Sequence, residues 1–141
     1  MNIAPELEDR WNRLKKQAQP GLMESQSIRI TDLQHGLVKA SMPVSDSVKQ
    51  PFGLLHGGAS VALAETVASL GSVMIIDSGN EQASGIEINA NHLRPVKDGT
   101  VHATASILHR GSRIHVWEIR ILDDRDRLVC ISRCTVAITK A

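Results

Sequence analysis

The sequence predicts an α+β fold in which one long apolar helix lies against an antiparallel sheet. Residues 51–76 are mostly small or apolar, and Glu65 carries their one formal charge. Residues 82–138 contain four runs in which apolar side chains recur every second residue, as they do in half-buried strands. The linkers between these runs are short, which favours antiparallel neighbours. A length of 141 residues suits a single domain, residues 1–141.

The N-terminal residues 1–20 predict a short helix followed by a link. Leu7, Trp11 and Leu14 recur at helical spacing between charged residues, and Pro5 suits the first turn of a helix. This spacing predicts an amphipathic helix that lies on the surface of the domain.

A hairpin and the long helix follow. The runs "SIRITDLQ" and "LVKASMPV" have the composition of strands and are joined at His35-Gly36, which predicts a β-hairpin. The long helix is predicted from Gly57 to about Ile76. One of its faces is built mainly from small residues and would let another backbone or a ligand approach closely: Gly58, Val61, Ala62, Glu65, Ala68, Ser69 and Ser72.

Four strands complete the chain, in the runs "GIEINANHLRP", "VHATASILH", "RIHVWEIRIL" and "RLVCISRCTVAI". Alternation in the first run places Ile86, Ile88, Ala90 and His92 on one face of the sheet. One helix can cover only one face of such a sheet. The opposite face mixes polar and apolar residues, and this mixture predicts contact between subunits of a homo-oligomer.

Composition argues against several classes of protein. A net charge of +1 and an aromatic content of 2% do not suit a surface that binds nucleic acid. The N-terminus is charged throughout and lacks the apolar core of a signal peptide, so a cytoplasmic protein is expected. Glu65, His56 and several Ser and Gly residues would make residues 51–76 costly to insert into a membrane, so no membrane span is expected.

The cysteines and serines suggest no familiar catalytic or metal site. Cys130 and Cys134 lie four residues apart in a strand-like run, which is roughly 13 Å and about twice the Cα separation that a disulfide allows. Free thiols are therefore expected. No His or acid stands at triad spacing from the helix serines, and no set of residues has the spacing of zinc ligands, which argues against a serine hydrolase and a metalloenzyme.

Two features of the long helix could carry chemistry. The N–H groups at Gly57-Gly58 could stabilise an oxyanion, or the glycines could simply form a tight turn. Desolvated Glu65 could act as a base or nucleophile, or it could be satisfied by neighbouring backbone or by Ser69. Gly57 and Glu65 are separated by about 12 Å along the helix. A substrate that contacts both must therefore lie between subunits. His56 could bind substrate or water, or could be structural.

Three segments resemble a known family in the correct order. "QPFGLLHGGASVALAE", "GIEINANHLRP" and "LHRGSRIHVWEI" are similar to motifs of the hotdog-fold acyl-CoA thioesterases, and the resemblance extends from about Gly21 to Ile138. It implies a long helix wrapped by an antiparallel sheet, a dimer or tetramer, and active sites between subunits. It also implies hydrolysis of an acyl-CoA to free acid and CoA, with no cofactor because CoA is part of the substrate.

Within the family, the chain most resembles the 1,4-dihydroxy-2-naphthoyl-CoA hydrolases of menaquinone biosynthesis and the proofreading thioesterases of enterobactin synthesis. These groups imply an aromatic acyl-CoA substrate, with an acyl-carrier protein as a second kind of partner. Residues that could form an apolar acyl pocket are Phe52, Leu54, Val61, Ala68 and Met74.

The resemblance also implies roles for individual residues. Glu65 matches the catalytic carboxylate, which acts as nucleophile or as general base on water. Gly57 matches the residue whose N–H polarises the thioester carbonyl, Gln50 and His56 match residues around the thioester, and Ser69 matches a position that orients the attacking water. Segments that would hold CoA, with arginines for its phosphates, match Gly85, His92, Leu93, Arg94, Pro95, His109, Arg110, Gly111, Ser112, Arg113 and Ile114.

Two other functions are compatible with the same scaffold. A non-catalytic acyl-CoA sensor would bind the ester without turnover and would usually carry a DNA-binding segment, for which residues 1–20 are too short. A dehydratase or hydratase of acyl thioesters would pair a catalytic His with an acid in other motifs. The presence of Glu65 within "HGGASVALAE" favours hydrolysis over both.

Overall fold

The computed structural model describes all 141 residues and contains three α-helices and seven strands. Short 3-10 turns at Pro5–Leu7 and Asp46–Val48 precede the first and third helices. The predicted N-terminal helix, hairpin, long helix and four later strands are all confirmed. In chain order the elements are β1 (Asn2–Ile3), α1 (Glu8–Gln17), α2 (Leu22–Ser25), β2 (Arg29–Gln34), β3 (Leu37–Pro43), α3 (Gly57–Ile75), β4 (Glu81–His92), β5 (Thr100–Arg110), β6 (Ile114–Leu122) and β7 (Leu128–Lys140).

The seven strands form one sheet in the order β1-β2-β3-β5-β6-β7-β4. Every neighbouring pair is antiparallel except β1 and β2, which are parallel. Strand β4 lies at one edge and pairs only with β7. Helix α3 contacts strands β2 to β7, so the sheet wraps around it. This arrangement confirms the predicted α+β hotdog architecture.

Both ends of α3 are fixed by side chains. At the start, Gly58 N–H donates to His56 Nδ1 at 2.8 Å, so His56 is the N-cap. At the other end, Arg110 Nη2 donates to the carbonyl oxygen of Ile75 at 2.7 Å, and Arg10 donates to that of Ile76. Two guanidinium groups at the negative end of the helix dipole also stabilise the helix electrostatically.

One face of α3 packs into the core of the domain. Leu63, Val67 and Met74 are almost completely buried there, among 29 buried apolar residues. Burial of each such side chain contributes about 1.5–3 kcal/mol. With a mean hydropathy of 1.5, α3 is long and apolar enough to cross a membrane. However, its contacts with the sheet are those expected of a core helix.

The predicted small-residue face of α3 is divided in the structure. Ala68 and Ser72 are buried against the sheet, whereas Glu65 and Ser69 are half-buried on the open side together with Val61 and Ala62. Placing all seven residues on one accessible face was therefore wrong. The rotation of the helix about its own axis decides which flank is buried, and this rotation depends on contacts with strands that are distant in sequence.

Strand β4 contains a β-bulge that the alternation did not predict. Its register with β7 shifts between Gly85 and Glu87, so Ile86 has no partner on β7 and is 61% exposed. The prediction that Ile86 shares a face with Ile88 was wrong. The extra residue instead lets both Gly85 and Ile88 pair with inward-facing residues of β7, and this brings the backbone of Gly85 against α3.

Candidate functional site

A cavity of about 380 Å³ opens at the N-terminal end of α3. It brings together several residues that the sequence placed around a thioester and its CoA, although they come from separate segments. Its walls are Gln50, Leu54, Leu55, Gly57, Ser60, His92, Leu93, Arg94, Pro95 and Val129. The loop before α3, the first turn of α3 and the end of β4 therefore form one concave surface.

Gly57 supplies a free backbone donor to this cavity. It is the first residue of α3, and its N–H has no acceptor within the chain. The ring of His92 lies close to it, since a Cβ atom on Gly57 would stand 2.9 Å from His92 Nε2. An N–H at the positive end of a helix dipole is suited to hydrogen-bond an oxygen that gains negative charge.

His56 and Gln50 have local structural roles that the sequence did not reveal. His56 Nδ1 accepts the N–H of Gly58, so a neutral ring carries its proton on Nε2. Gln50 Oε1 accepts the N–H groups of Phe52 and Leu54 at 2.5 and 3.5 Å, which shapes the loop before α3. The Nε2 amide group of Gln50 makes no hydrogen bond within the chain and is available to a ligand.

Glu65 lies on the open flank of α3 and faces β4. Its carboxylate makes no hydrogen bond or ion pair within the chain, and neither does the hydroxyl of Ser69. A Cβ atom on Gly85 would overlap Glu65 Oε1 and would stand 3.6 Å from Ser69 Oγ. Glu65, Ser69 and Gly85 therefore form a second group. The alternative in which Glu65 is satisfied by backbone or by Ser69 is not what the structure shows.

The charge of Glu65 also acts on a neighbouring cysteine. Burial, together with the negative charges of Glu65 and Glu87, raises the pKa of the Cys134 thiol to about 11. Burial likewise raises the pKa of Cys130. Both thiols therefore remain protonated near neutral pH, and neither is suited to act as a nucleophile.

The third predicted group, His109 to Ile114, lies at the β5–β6 connection near the C-terminal end of α3. Arg110 uses part of its guanidinium to bind the carbonyl oxygen of Ile75. Arg113 makes no side-chain hydrogen bond or ion pair within the chain. Gly57 and Ile75 are separated by 18 helical steps, or about 27 Å. The structure therefore distributes the predicted site residues along α3 and does not gather them in one pocket of a single chain.

The sequence did not indicate the roles of two polar features near α3. Ser60 lines the cavity beside Gly57 and is 1% exposed. Farther along α3, Ser72 Oγ lies 2.9 Å from both Trp117 Nε1 and His115 Nδ1. Because Ser60 follows Gly57 by three residues, helix spacing could have indicated that the two residues share a face. No local signal could have paired Ser72 with residues on β6.

The predicted acyl-pocket residues do not form one pocket. Leu54 lines the cavity at the start of α3, but Ala68 and Met74 are buried in the core. Phe52 is 89% exposed at the tip of its loop. The prediction that Ala68 and Met74 line a pocket was wrong, because the side of α3 that carries them faces the sheet. No group of three His, Cys, Asp or Glu residues is arranged to hold a metal ion.

A sheet that wraps around a single long helix defines the hotdog fold, and relatives of known structure share it with this chain. A glutamate-to-alanine mutant of SAV0944 from Staphylococcus aureus superposes with a TM-score of 0.84 and 51% identity, covering 86% of this chain and all of the other. A glutamine-to-alanine mutant of thioesterase PA1618 from Pseudomonas aeruginosa superposes with a TM-score of 0.87 at 38% identity. The match covers 98% of this chain and 96% of the other.

Sequence comparison gives the family. The model of the thioesterase superfamily matches residues 52–130. The 1,4-dihydroxy-2-naphthoyl-CoA hydrolase of Listeria monocytogenes is 47% identical over 120 residues, which are 85% of this chain and 97% of the relative. The chain therefore belongs to the thioesterase superfamily and is a thioester hydrolase.

Proposed function

We propose that the protein hydrolyses an aromatic acyl-CoA, such as 1,4-dihydroxy-2-naphthoyl-CoA, in the cytoplasm, with Glu65 as the catalytic carboxylate. The observation that carries this proposal is the state of Glu65. It is a half-buried carboxylate with no partner in its own chain, on the helix whose first N–H is also free. Because this carboxylate lies on the open flank of α3 and has no partner in the chain, it is available to a substrate or to an attacking water.

The substrate class is supported by similarity to the Listeria enzyme. The role of Glu65 is supported by its distance along the sequence from Gln50. The glutamate and glutamine replaced in two solved structures of SAV0944 lie fifteen residues apart, as do Glu65 and Gln50 in this chain. In the proposed reaction, Glu65 either attacks the thioester carbonyl, expelling the CoA thiolate and leaving an anhydride that water then hydrolyses, or activates the water that attacks the carbonyl and expels the thiolate directly. In both cases Gly57 N–H binds the carbonyl oxygen.

The separation of about 12 Å between Gly57 and Glu65 leads us to place the site between two copies of the chain. Strand β4 is suited to this contact because its outer edge is unpaired over twelve residues. Glu65 and Gly85 lie beside that edge. A symmetric pair of chains would bring the Gly57 cavity of one copy towards Glu65 of the other, in a homodimer or a tetramer built from it.

The test is hydrolysis of a panel of aromatic and aliphatic acyl-CoAs and acyl-carrier proteins, measured by thiol release. We expect turnover of aromatic acyl-CoA, and Glu65→Ala and Glu65→Gln should each reduce kcat by about two orders of magnitude or more. Glu8→Gln is the control, because Glu8 is an exposed carboxylate on α1 and belongs to neither α3 nor β4. Unchanged hydrolysis by Glu65→Ala would refute the proposal.

The same assay separates the two alternative functions. A sensor would bind acyl-CoA tightly without releasing a thiol. A hydratase would hydrate crotonyl-CoA while leaving aromatic thioesters intact. Either pattern in the wild-type protein would replace the hydrolytic proposal.

A further inference from the structure

Ser60 lies in the wall of the Gly57 cavity, and its hydroxyl makes no hydrogen bond within the chain. The residue is 1% exposed. Its side chain makes no hydrogen bond, not even to the carbonyl of His56 one turn earlier, to which its own backbone N–H donates at 3.3 Å. Thr66, by comparison, does bind the carbonyl one turn earlier, that of Ala62, at 2.7 Å. The Ser60 hydroxyl therefore forgoes the usual local partner of a helical serine.

Helix geometry directs this hydroxyl towards Gly57. Side chains of an α-helix tilt towards its N-terminus, so a residue covers the turn before its own Cα atom. Ser60 stands three residues after Gly57 and shares its face of α3. Both residues line the same cavity, as does His92, whose ring lies against Gly57. The cavity thus has two unused donors on one helical turn.

We propose that Ser60 Oγ is a second hydrogen-bond donor in this cavity and binds the carbonyl oxygen of an acyl thioester held at Gly57 N–H. This inference rests on the proposed function and assigns a further substrate-contacting residue to it. A pair of donors fixes the direction of the carbonyl as well as its position. It also stabilises the negative charge that develops on the oxygen better than Gly57 N–H alone.

The proposal predicts different effects on activity and stability. A hydroxyl that opens into the cavity and has no partner in the chain contributes no hydrogen bond to folding. Ser60→Ala should therefore leave the melting temperature of the ligand-free protein unchanged. The same variant should lower kcat about a hundredfold, the effect of removing one donor to an oxyanion. A purely structural serine would instead lose stability and activity together.

Binding of two CoA analogues isolates the hydrogen bond without relying on turnover. In one, a methylene replaces the thioester sulfur and the carbonyl is kept as a ketone. The other is the corresponding S-alkyl-CoA, a thioether with no carbonyl. Ser60→Ala should raise Kd for the ketone by about two- to twelvefold, the range of a neutral hydrogen bond. It should leave Kd for the thioether unchanged.

The control is Ser132→Ala, because Ser132 Oγ likewise has no hydrogen-bond partner but is buried away from the Gly57 cavity. It should change neither Kd nor kcat. Equal effects of Ser60→Ala on ketone and thioether, or no effect on either, would overturn the inference, as would a wild type that binds neither analogue. If the wild-type protein hydrolyses no acyl-CoA, the proposed function is refuted. The role of Ser60 is then still decided by comparing Kd for the ketone and the thioether.

Discussion

Gly85 of β4 faces Glu65 of α3 so closely that a Cβ atom on Gly85 would overlap Glu65 Oε1. The bulge in β4 creates this approach, because it turns Gly85 towards the helix. The Glu65 carboxylate can therefore occupy this position only because residue 85 has no side chain. A catalytic group must be held within a fraction of an ångström of its productive geometry.

Gly85→Ala should displace Glu65 and lower kcat by about tenfold to a hundredfold, since a shift of about 1 Å can cost a hundredfold in rate. The fold should persist, because the displaced group is the end of a half-exposed side chain. Steady-state kinetics and a melting curve measure both effects. Gly79→Ala is the matched control, since its Cβ would meet only Asp77 Oδ1 at an ordinary 3.5 Å. Full activity in Gly85→Ala would contradict the expectation.

Ser72 is a structural counterpart to Ser60 on the same helix. Trp117 Nε1 donates to Ser72 Oγ, which leaves the hydroxyl proton for Nδ1 of neutral His115. Ser72→Ala would leave the buried indole N–H without an acceptor, and we expect a loss of about 1–3 kcal/mol in the free energy of unfolding. Urea denaturation of Ser72→Ala beside Ser60→Ala measures the contrast. Equal stability of the two variants would show that the Ser72 bonds contribute nothing.

The secondary structure was predictable because its signals are local. The uncharged run that became α3 and the alternation in β5 to β7 are features of neighbouring residues, and hydrophobic burial on folding acts on that pattern directly. The hairpin followed equally from His35-Gly36 between two strand-like runs. Spacing and linker length predicted that the long helix lies against an antiparallel sheet, and the resemblance of three ordered segments added that the sheet wraps around it.

The errors and omissions have one physical origin, which is contact between residues distant in sequence. The bulge at Ile86 depends on how β4 pairs with β7. Burial of Ala68 and Met74 depends on how α3 is rotated about its own axis against the sheet. The Ser72 interaction joins residues more than forty positions apart. The distance between Gly57 and Glu65, by contrast, follows from helix geometry alone, and the sequence predicted it for that reason.

Buried His115 should make the protein less stable in mild acid. Burial lowers its pKa, and the nearby charge of Arg110 lowers it further, while Glu81 acts in the opposite direction and His109 adds to the lowering. The folded state thus binds the His115 proton more weakly than the unfolded chain, whose His pKa is about 6.5. The free energy of unfolding should therefore fall as pH falls through and below about 6.5, by at most about 1.4 kcal/mol per pH unit for one group.

Unfolding by urea between pH 8 and pH 5 measures this slope. His115→Asn should reduce it, because an Asn amide can replace Nδ1 at Ser72 without titrating. His35→Asn serves as the control, since His35 is half-exposed beside Glu6. An unchanged slope in His115→Asn would assign the acid sensitivity to other groups.

Arg113 should act on the CoA portion of the substrate and not on the reacting bond. Its guanidinium has no partner in the chain, so it is free to bind a phosphate. Arg113→Ala should raise KM for acyl-CoA about tenfold with little change in kcat, the result of losing a charged hydrogen bond. The effect should vanish with the acyl thioester of N-acetylcysteamine, which has no phosphates. Arg125→Ala, an exposed arginine in the β6–β7 turn, is the control. An equal effect on both thioesters would exclude phosphate binding.

A site shared between subunits should be restored by mixing two inactive variants. Glu65→Ala lacks the carboxylate. Gly57→Pro lacks the N–H at a helix position where proline is tolerated, and its ring also displaces the His92 side chain of the same copy. In a mixed dimer, one of the two shared sites would combine Glu65 of one copy with Gly57 of the other, both intact. Co-expressed protein carrying two different affinity tags should therefore recover about half the wild-type kcat per dimer, when the doubly tagged species is purified and assayed. If both site residues came from the same chain, every site would contain one lesion and the mixed dimer would remain inactive.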